Sequence, residues 1–228
     1  MPSYHVNKFE TTKLFYDQYL YKLTVVNPLA SIFRGKNLTY ARQQLDKLQL
    51  QYETKSNLAL YYAYGARTIN LSEQDFTAAK ILLVEFNMHK DYTLRIENPR
   101  MAIYSNNKKW INMLLEKPLI TTEIWAPSSD NINLLIKNNI IITDENFDYN
   151  YKITLKEKVN TQFYDWLINN SHKVKIGDTC LRCIKRGDYV RGFYFYLKGE
   201  KTLSIVNLMI GGEIARIDNI VNRASKDK

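Results

Sequence analysis

The rhythm of apolar and polar positions changes several times along the chain, and each rhythm predicts an element. Residues 13–26, Lys-Leu-Phe-Tyr-Asp-Gln-Tyr-Leu-Tyr-Lys-Leu-Thr-Val-Val, are aromatic and β-branched and predict one long strand or two short ones. Asn27-Pro28 closes that run, because the residue before proline avoids the helical region. From Leu38 to Tyr52 the spacing turns helical: Leu38, Ala41, Leu45, Leu48 and Tyr52 share one face, behind a capping Asn37. Leu58 to Tyr64 is apolar but too short to assign. Ser72-Glu73-Gln74-Asp75 has the capping-box form and predicts a helix to about His89, with Phe76, Ala79, Leu83 and Phe86 facing inward.

Short strands and helices then alternate. Tyr92 to Glu97 and Met101 to Tyr104 predict strands around an Asn98-Pro99 turn. Leu119 to Trp125, Ile140 to Ile142 and Tyr149 to Leu155 predict three more. Helices are expected over Asn106 to Glu116, from Pro127 to Lys137, after Asn160, and around Cys180 to Ile184. Tyr189 to Leu197 and Thr202 to Met209 flank Lys198-Gly199-Glu200-Lys201 and read as a β-hairpin. After Gly211-Gly212, the spacing of Ile214, Ile217, Ile220 and Val221 places an apolar stripe on a helix. The expected class is α+β: mixed short strands and helices around one main core, ending in a β-hairpin followed by an amphipathic helix. A single domain over 1–228 is expected, with a soft boundary allowed near residue 90. Residues 1–90 would then hold a strand and two helices, and 91–228 an α/β-type layer with the hairpin and helix. No internal repeat stands out.

Composition narrows the class. Hydrophobic residues are 45% and charged residues 24%, as in folded soluble proteins, and 8 Gly with 5 Pro exclude low-complexity or collagen-like sequence. Met1-Pro2-Ser3-Tyr4-His5 is polar, which argues against a signal peptide. Apolar runs such as Ile81 to Val84 are too short for a bilayer, so no membrane partner is expected. Two cysteines form no disulfide framework, and a reducing, cytoplasmic setting is the expectation.

Charge changes the picture more. The net charge is +9, made of +4 over residues 1–90, −1 over 91–172 and +6 over 173–228. Such an excess attracts polyanions, nucleic acid first. Arg34, Lys36 and Arg42 form one cationic group where a loop enters a helix, a place that suits phosphate. Arg182, Lys185, Arg186 and Arg191 form a second, beside the hairpin. On a strand, Tyr194 and Tyr196 would face one way and Phe193, Phe195 and Leu197 the other. Exposed tyrosines beside Arg191 and Lys198 are a means of holding single strands, by stacking plus phosphate attraction. The plainer alternatives are packed tyrosines and a solvated charged face.

Arg191-Gly192-Phe193-Tyr194-Phe195-Tyr196 resembles the strand signature of the RNA-recognition motif at Arg191, Gly192, Phe193 and Phe195. It departs from it at Tyr194, Tyr196 and Lys198, spans about eight residues, and implies no family membership. Cys180-Leu181-Arg182-Cys183 has no second ligand pair, which favours core packing over zinc or redox chemistry. Asp144 and Glu145 before Lys152 and Lys156 suggest a metal-dependent nuclease core, but the acid-any-Lys step is missing. No nucleophile–base arrangement and no phosphate-cradling glycine loop is present, so no catalytic residue, metal or cofactor is assigned. The reading is a non-enzymatic nucleic-acid-binding protein, for RNA or DNA with single strands favoured and little sequence specificity. Its surface would comprise Arg34, Lys36, Arg42, Arg182, Lys185, Arg186, Arg191, Tyr194, Tyr196 and Lys198. The rivals are an interaction or assembly protein, with self-association left open, and the nuclease.

Overall fold

A computed structural model describes residues 6–55, 58–62, 67–137, 139–143 and 146–223. The class is α+β, with seven α-helices and two five-stranded mixed sheets among the described residues. The chain divides into two compact units, 1–129 and 130–228.

The first unit holds strands β1 (Asn7–Glu10), β2 (Tyr21–Val26), β5 (Tyr92–Glu97), β6 (Arg100–Ser105) and β7 (Ile120–Ala126), in the order β1-β7-β2-β6-β5. Only β1 and β7 run parallel. Helices α1 (Leu38–Lys55) and α2 (Glu73–Met88) lie between β2 and β5, with the hairpin β3 (Ala59–Tyr62) and β4 (Arg67–Asn70) inserted between them. Helix α3 (Lys108–Leu115) connects β6 to β7. Ser72 caps α2 with a full capping box, its side chain accepting from the Asp75 amide while the Asp75 carboxylate accepts from the Ser72 amide at 2.8 Å. Strand alternation sends Leu23, Val25, Met101 and Ile103 into a core with Phe33, Phe86 and Trp110. Phe86 of α2 stacks on Tyr92 at 4.9 Å, and Trp110 of α3 lies 5.6 Å from the same ring, so both helices cover one face. Lys22, Thr24, Tyr104 and Trp125 alternate onto the other.

The second unit holds β8 (Ile140–Thr143), β9 (Tyr151–Leu155), β10 (Val174–Ile176), β11 (Tyr194–Leu197) and β12 (Ile214–Asn222), in the order β8-β12-β9-β11-β10. Only β8 and β12 run parallel. Helix α4 (Ser129–Leu135) begins at the division, α5 (Gln162–Asn169) and α6 (Asp178–Arg186) flank β10, and α7 (Glu200–Ile210) connects β11 to β12. Ile153, Leu155, Phe195 and Leu197 pack against Phe163 and Leu167 of α5, Cys180 and Ile184 of α6, and Val206 and Ile210 of α7. All three helices therefore lie on one face of this sheet.

In both units four antiparallel strands take the order of the split βαβ arrangement, β7-β2-β6-β5 and β12-β9-β11-β10, with β5 and β6 joined directly in the first unit and α6 placed between β10 and β11 in the second. An extra strand pairs parallel with the last.

The end of the chain differs from the expected hairpin and helix. Strand β11 forms, but Glu200–Ile210 is helical and Ile214–Asn222 is a strand. Gly199, at φ 73°, precedes α7 instead of turning a hairpin. Thr202, Val206 and Ile210 are buried at a spacing of four, a helical period hidden among β-branched residues. Ile214 and Ile217 both reach the core because the strand register shifts between Ile214 and Arg216. An irregularity of that kind lets residues three apart share a strand face and imitates a helical stripe.

Replacing Ser72 with Ala removes the capping acceptor of α2. It is expected to lower stability by about 1 kcal/mol, read as a shift in the urea unfolding midpoint with unchanged slope.

Candidate nucleic-acid interface

On β11 the pleat makes Tyr194 exposed, Phe195 buried, Tyr196 half-buried and Leu197 buried. The two phenol rings thus stand on the face away from α5, α6 and α7. Register places Lys152 and Thr154 of β9 beside Tyr196 and Tyr194, and Lys175 of β10 on the other side of Tyr196. From β12, Asp218 lies opposite Lys152 and Arg216 opposite Thr154.

Phe147 and Tyr149, from the segment that enters β9, extend this aromatic cluster. Phe147 meets Tyr196 edge-on at 4.9 Å, Tyr149 lies 6.3 Å from Tyr196, and Tyr194 lies 5.5 Å from it. The segment is fixed by its backbone. The Asn222 side chain donates to the Phe147 carbonyl at 2.8 Å and accepts from its amide at 3.3 Å, while the Asn150 amide donates to the Leu197 carbonyl at 2.8 Å.

Ammonium groups are interleaved with the rings. Lys152 Nζ lies 3.8 Å from the Tyr194 centroid, Lys175 Nζ 5.2 Å from Phe147 and Lys198 Nζ 5.1 Å from Tyr149, all within cation–π range. Lys198 also pairs with Asp148 at 3.2 Å. Buried Asp218 accepts from Arg216 Nε at 2.6 Å. Burial pushes the Tyr196 hydroxyl above its ordinary range, and Tyr194 adds to the shift. Tyr196 is therefore a neutral hydrogen-bonding group at physiological pH.

Thr154 also borders a groove of about 620 Å³ lined by Lys156, Lys158, Tyr189, Arg191, Gly192 and Gly212, among others. Lys156 Nζ donates to the Gly212 carbonyl at 3.1 Å, and Lys158 Nζ lies 4.8 Å from the exposed Tyr189 ring. Arg191 is exposed.

Of the residues singled out from sequence, Tyr194, Tyr196 and Lys198 come together on the aromatic face, and Arg191 lines the adjoining groove. Arg182, Lys185 and Arg186 project from α6, in the helical layer on the other side of the sheet. Arg182 donates to Thr179 at 3.5 Å, and Lys185 lies over Tyr164 at 5.3 Å. Arg34, Lys36 and Arg42 belong to the first unit. Lys36 donates to the Tyr92 carbonyl at 2.7 Å and covers its ring, while Arg34 and Arg42 are exposed.

Sequence reasoning missed Lys152, Lys175, Phe147 and Tyr149 as members of this surface. Alternation along the expected strand Tyr149 to Leu155 would have paired Lys152 with Thr154. The two aromatics that match the RNA-recognition signature, Phe193 and Phe195, pack with the core, so the exposed face is built from its non-matching tyrosines.

Asp144 and Glu145 lie outside the described residues. Among the described residues, no group of three or more His, Cys, Asp or Glu side chains could hold a metal ion. Both cysteines are free; Cys180 is buried in the core, and burial followed by the neighbouring Cys183 pushes its thiol up to about 11. No helix among the described residues is long and apolar enough to cross a membrane. No family model matches the chain, and no curated protein or solved structure matches it.

Since the thiolate is the nucleophile, Cys180 is expected to resist iodoacetamide at pH 8 in the folded protein and to react once the protein is denatured. Peptide mapping by mass spectrometry checks this. Full native labelling of Cys180 would show that it is neither buried nor protonated.

Proposed function

We propose that this chain is a non-enzymatic protein that holds single-stranded nucleic acid, RNA or DNA, with little sequence specificity. The observation that carries this reading is the face of the second unit, where exposed Tyr194 and half-buried Tyr196 stand among Lys152, Lys175 and Lys198. Bases stack on aromatic rings whatever their identity, and ammonium groups beside those rings meet the phosphates between stacked bases. Tyr194 is the first stacking ring and Tyr196 the second. Lys152, Lys175 and Lys198 meet phosphate, and Arg191 with Lys156 and Lys158 continues the track into the groove at the strand ends. Arg182, Lys185 and Arg186 stand in the helical layer on the other side of this sheet, and Arg34, Lys36 and Arg42 belong to the first unit. The net charge of +9 supports attraction of a polyanion at long range. Two free cysteines suit a reducing compartment such as the cytoplasm.

A second reading rests on α7, whose Ile205, Leu208 and Met209 are exposed, Leu208 at 88%. An apolar helix face of this kind suits a protein partner or self-association. Binding through α7 would leave the tyrosine–lysine face available.

Fluorescence anisotropy with labelled oligothymidylate and oligouridylate separates the two. The logarithm of affinity should fall with the logarithm of salt at a slope of about −4, for the six cations placed on the track, on a single strand. Tyr194→Ala should weaken binding roughly tenfold, in line with about 1–3 kcal/mol per stacked base. Lys175→Gln should make the slope shallower by about 0.7. Absence of binding at low salt, or affinity indifferent to both substitutions, would leave the α7 reading in possession.

A further inference from the structure

The two units match in more than strand order. In each, the second strand of the unit carries the same five-residue pattern: Tyr21-Lys22-Leu23-Thr24-Val25 in β2 and Tyr151-Lys152-Ile153-Thr154-Leu155 in β9. Lys22 pairs across the sheet with Tyr104, as Lys152 does with Tyr196. In each unit, the connection between the first two strands sends a Phe and a Tyr onto that tyrosine. Phe15 and Tyr16 lie 5.3 and 5.0 Å from Tyr104, and Phe147 and Tyr149 lie 4.9 and 6.3 Å from Tyr196. Strand order, register, a lysine–tyrosine pair and an aromatic cap thus recur together in one chain.

We infer that the chain is two copies of one module, and that the first unit carries a second stacking site for single-stranded nucleic acid, centred on Tyr16, Phe9 and Trp125. This rests on the reading of the second unit given above. Tyr104 itself is buried beneath its cap, so the accessible rings are those around it. Tyr16 is 56% exposed and Phe9 43% exposed, and half-buried Trp125 stacks on Phe9 at 4.6 Å with Lys22 Nζ 5.3 Å above its ring. The turn that presents Tyr16 is closed by two hydrogen bonds of 2.9 Å between Phe15 and Tyr19, and it takes Tyr16 and Asp17 through φ of 52° and 57°.

The two faces differ in charge, and that sets how the second site binds. Thr93 stands beside Tyr104 where Lys175 stands beside Tyr196. Lys22 is paired with Glu123 at 3.1 Å and Arg95 with Glu97 at 2.8 Å. Phosphate attraction is therefore small and ring stacking dominates, which gives a weaker site with a shallow salt dependence.

The test uses the whole protein and an oligothymidylate of about eight nucleotides, long enough for one platform. Two octamers should bind per chain by native mass spectrometry, and titration should quench tryptophan fluorescence. Trp125→Phe should remove most of that quench, because Trp110 is buried and Trp166 packs against the core of the second unit. Tyr16→Asn deletes the exposed ring while tolerating a positive φ. It should weaken the salt-insensitive event about five- to tenfold and leave the salt-sensitive event unchanged. One octamer per chain, with no effect of Tyr16→Asn and a quench that survives Trp125→Phe, overturns the second site while leaving the first. Binding that ignores Tyr194→Ala but falls with Tyr16→Asn overturns the reading of the second unit instead. A chain that binds no octamer overturns both.

Discussion

The two-residue repeat of the central strand is the constraint on which each unit depends. In β9, Ile153 and Leu155 enter the core while Lys152 and Thr154 take the other face, and β2 divides its residues the same way. Slipping either strand by one residue would send lysine into the core and an aliphatic side chain out of it. Because α5, α6 and α7 all pack on one side, the residues on the other must tolerate water and still stabilise a sheet. Tyrosine and lysine meet both requirements. Each buries an apolar stem or ring against its cross-strand neighbour and keeps a polar end available.

That compromise produces a surface whose side chains are already placed for stacking. Tyr194 and Tyr196 are braced by each other, by Lys152 and by Phe147. Lys175 and Lys198 rest on rings at the margin of the cluster. A ring held in this manner has little rotamer freedom left to lose on contact with a partner, which distinguishes a preorganised surface from a scatter of exposed aromatics.

Much of the fold was legible because it was written locally. The Ser72 capping box, the hairpin of β5 and β6 around Asn98-Pro99, and the helices expected over Asn106 to Glu116 and after Asn160 each announce themselves within a few residues. Strand order did not, since β12 lies between β8 and β9 through pairings that no local window contains. The repeat escaped for a related reason: an insert of α1 and the β3–β4 hairpin stretches the first unit, leaving only the Tyr-Lys-aliphatic-Thr-aliphatic segment alike. Of the surface, alternation along one strand yielded Tyr194 and Tyr196, whereas Lys152, Lys175 and Phe147 join them only through register. Clustering of charge in sequence was a poorer guide, because Arg182, Lys185 and Arg186 lie one helical turn or less apart and still belong to the opposite layer.

Asp218 shows why a cationic platform needs an acid within it. It is almost fully buried, opposite Lys152 in register and hydrogen-bonded by Arg216. An ionised carboxylate in such a place is costly unless donors surround it, and removing one partner of a buried pair costs about 3–5 kcal/mol. The arrangement therefore holds Arg216 against the sheet and sets an acid opposite Lys152 in register. In the first unit Glu123 plays the corresponding part against Lys22, but from a more exposed position and with Thr24 and Trp125 as further donors. Burial pushes the Glu123 carboxyl up, but the Lys22 ammonium first, then Trp125 and Thr24, outweigh it and hold the carboxylate below its ordinary range. One strand order has thus been balanced twice, once with a surplus of lysine around the acid and once near neutrality, and the difference lies in side chains on neighbouring strands while the central lysine–tyrosine register recurs.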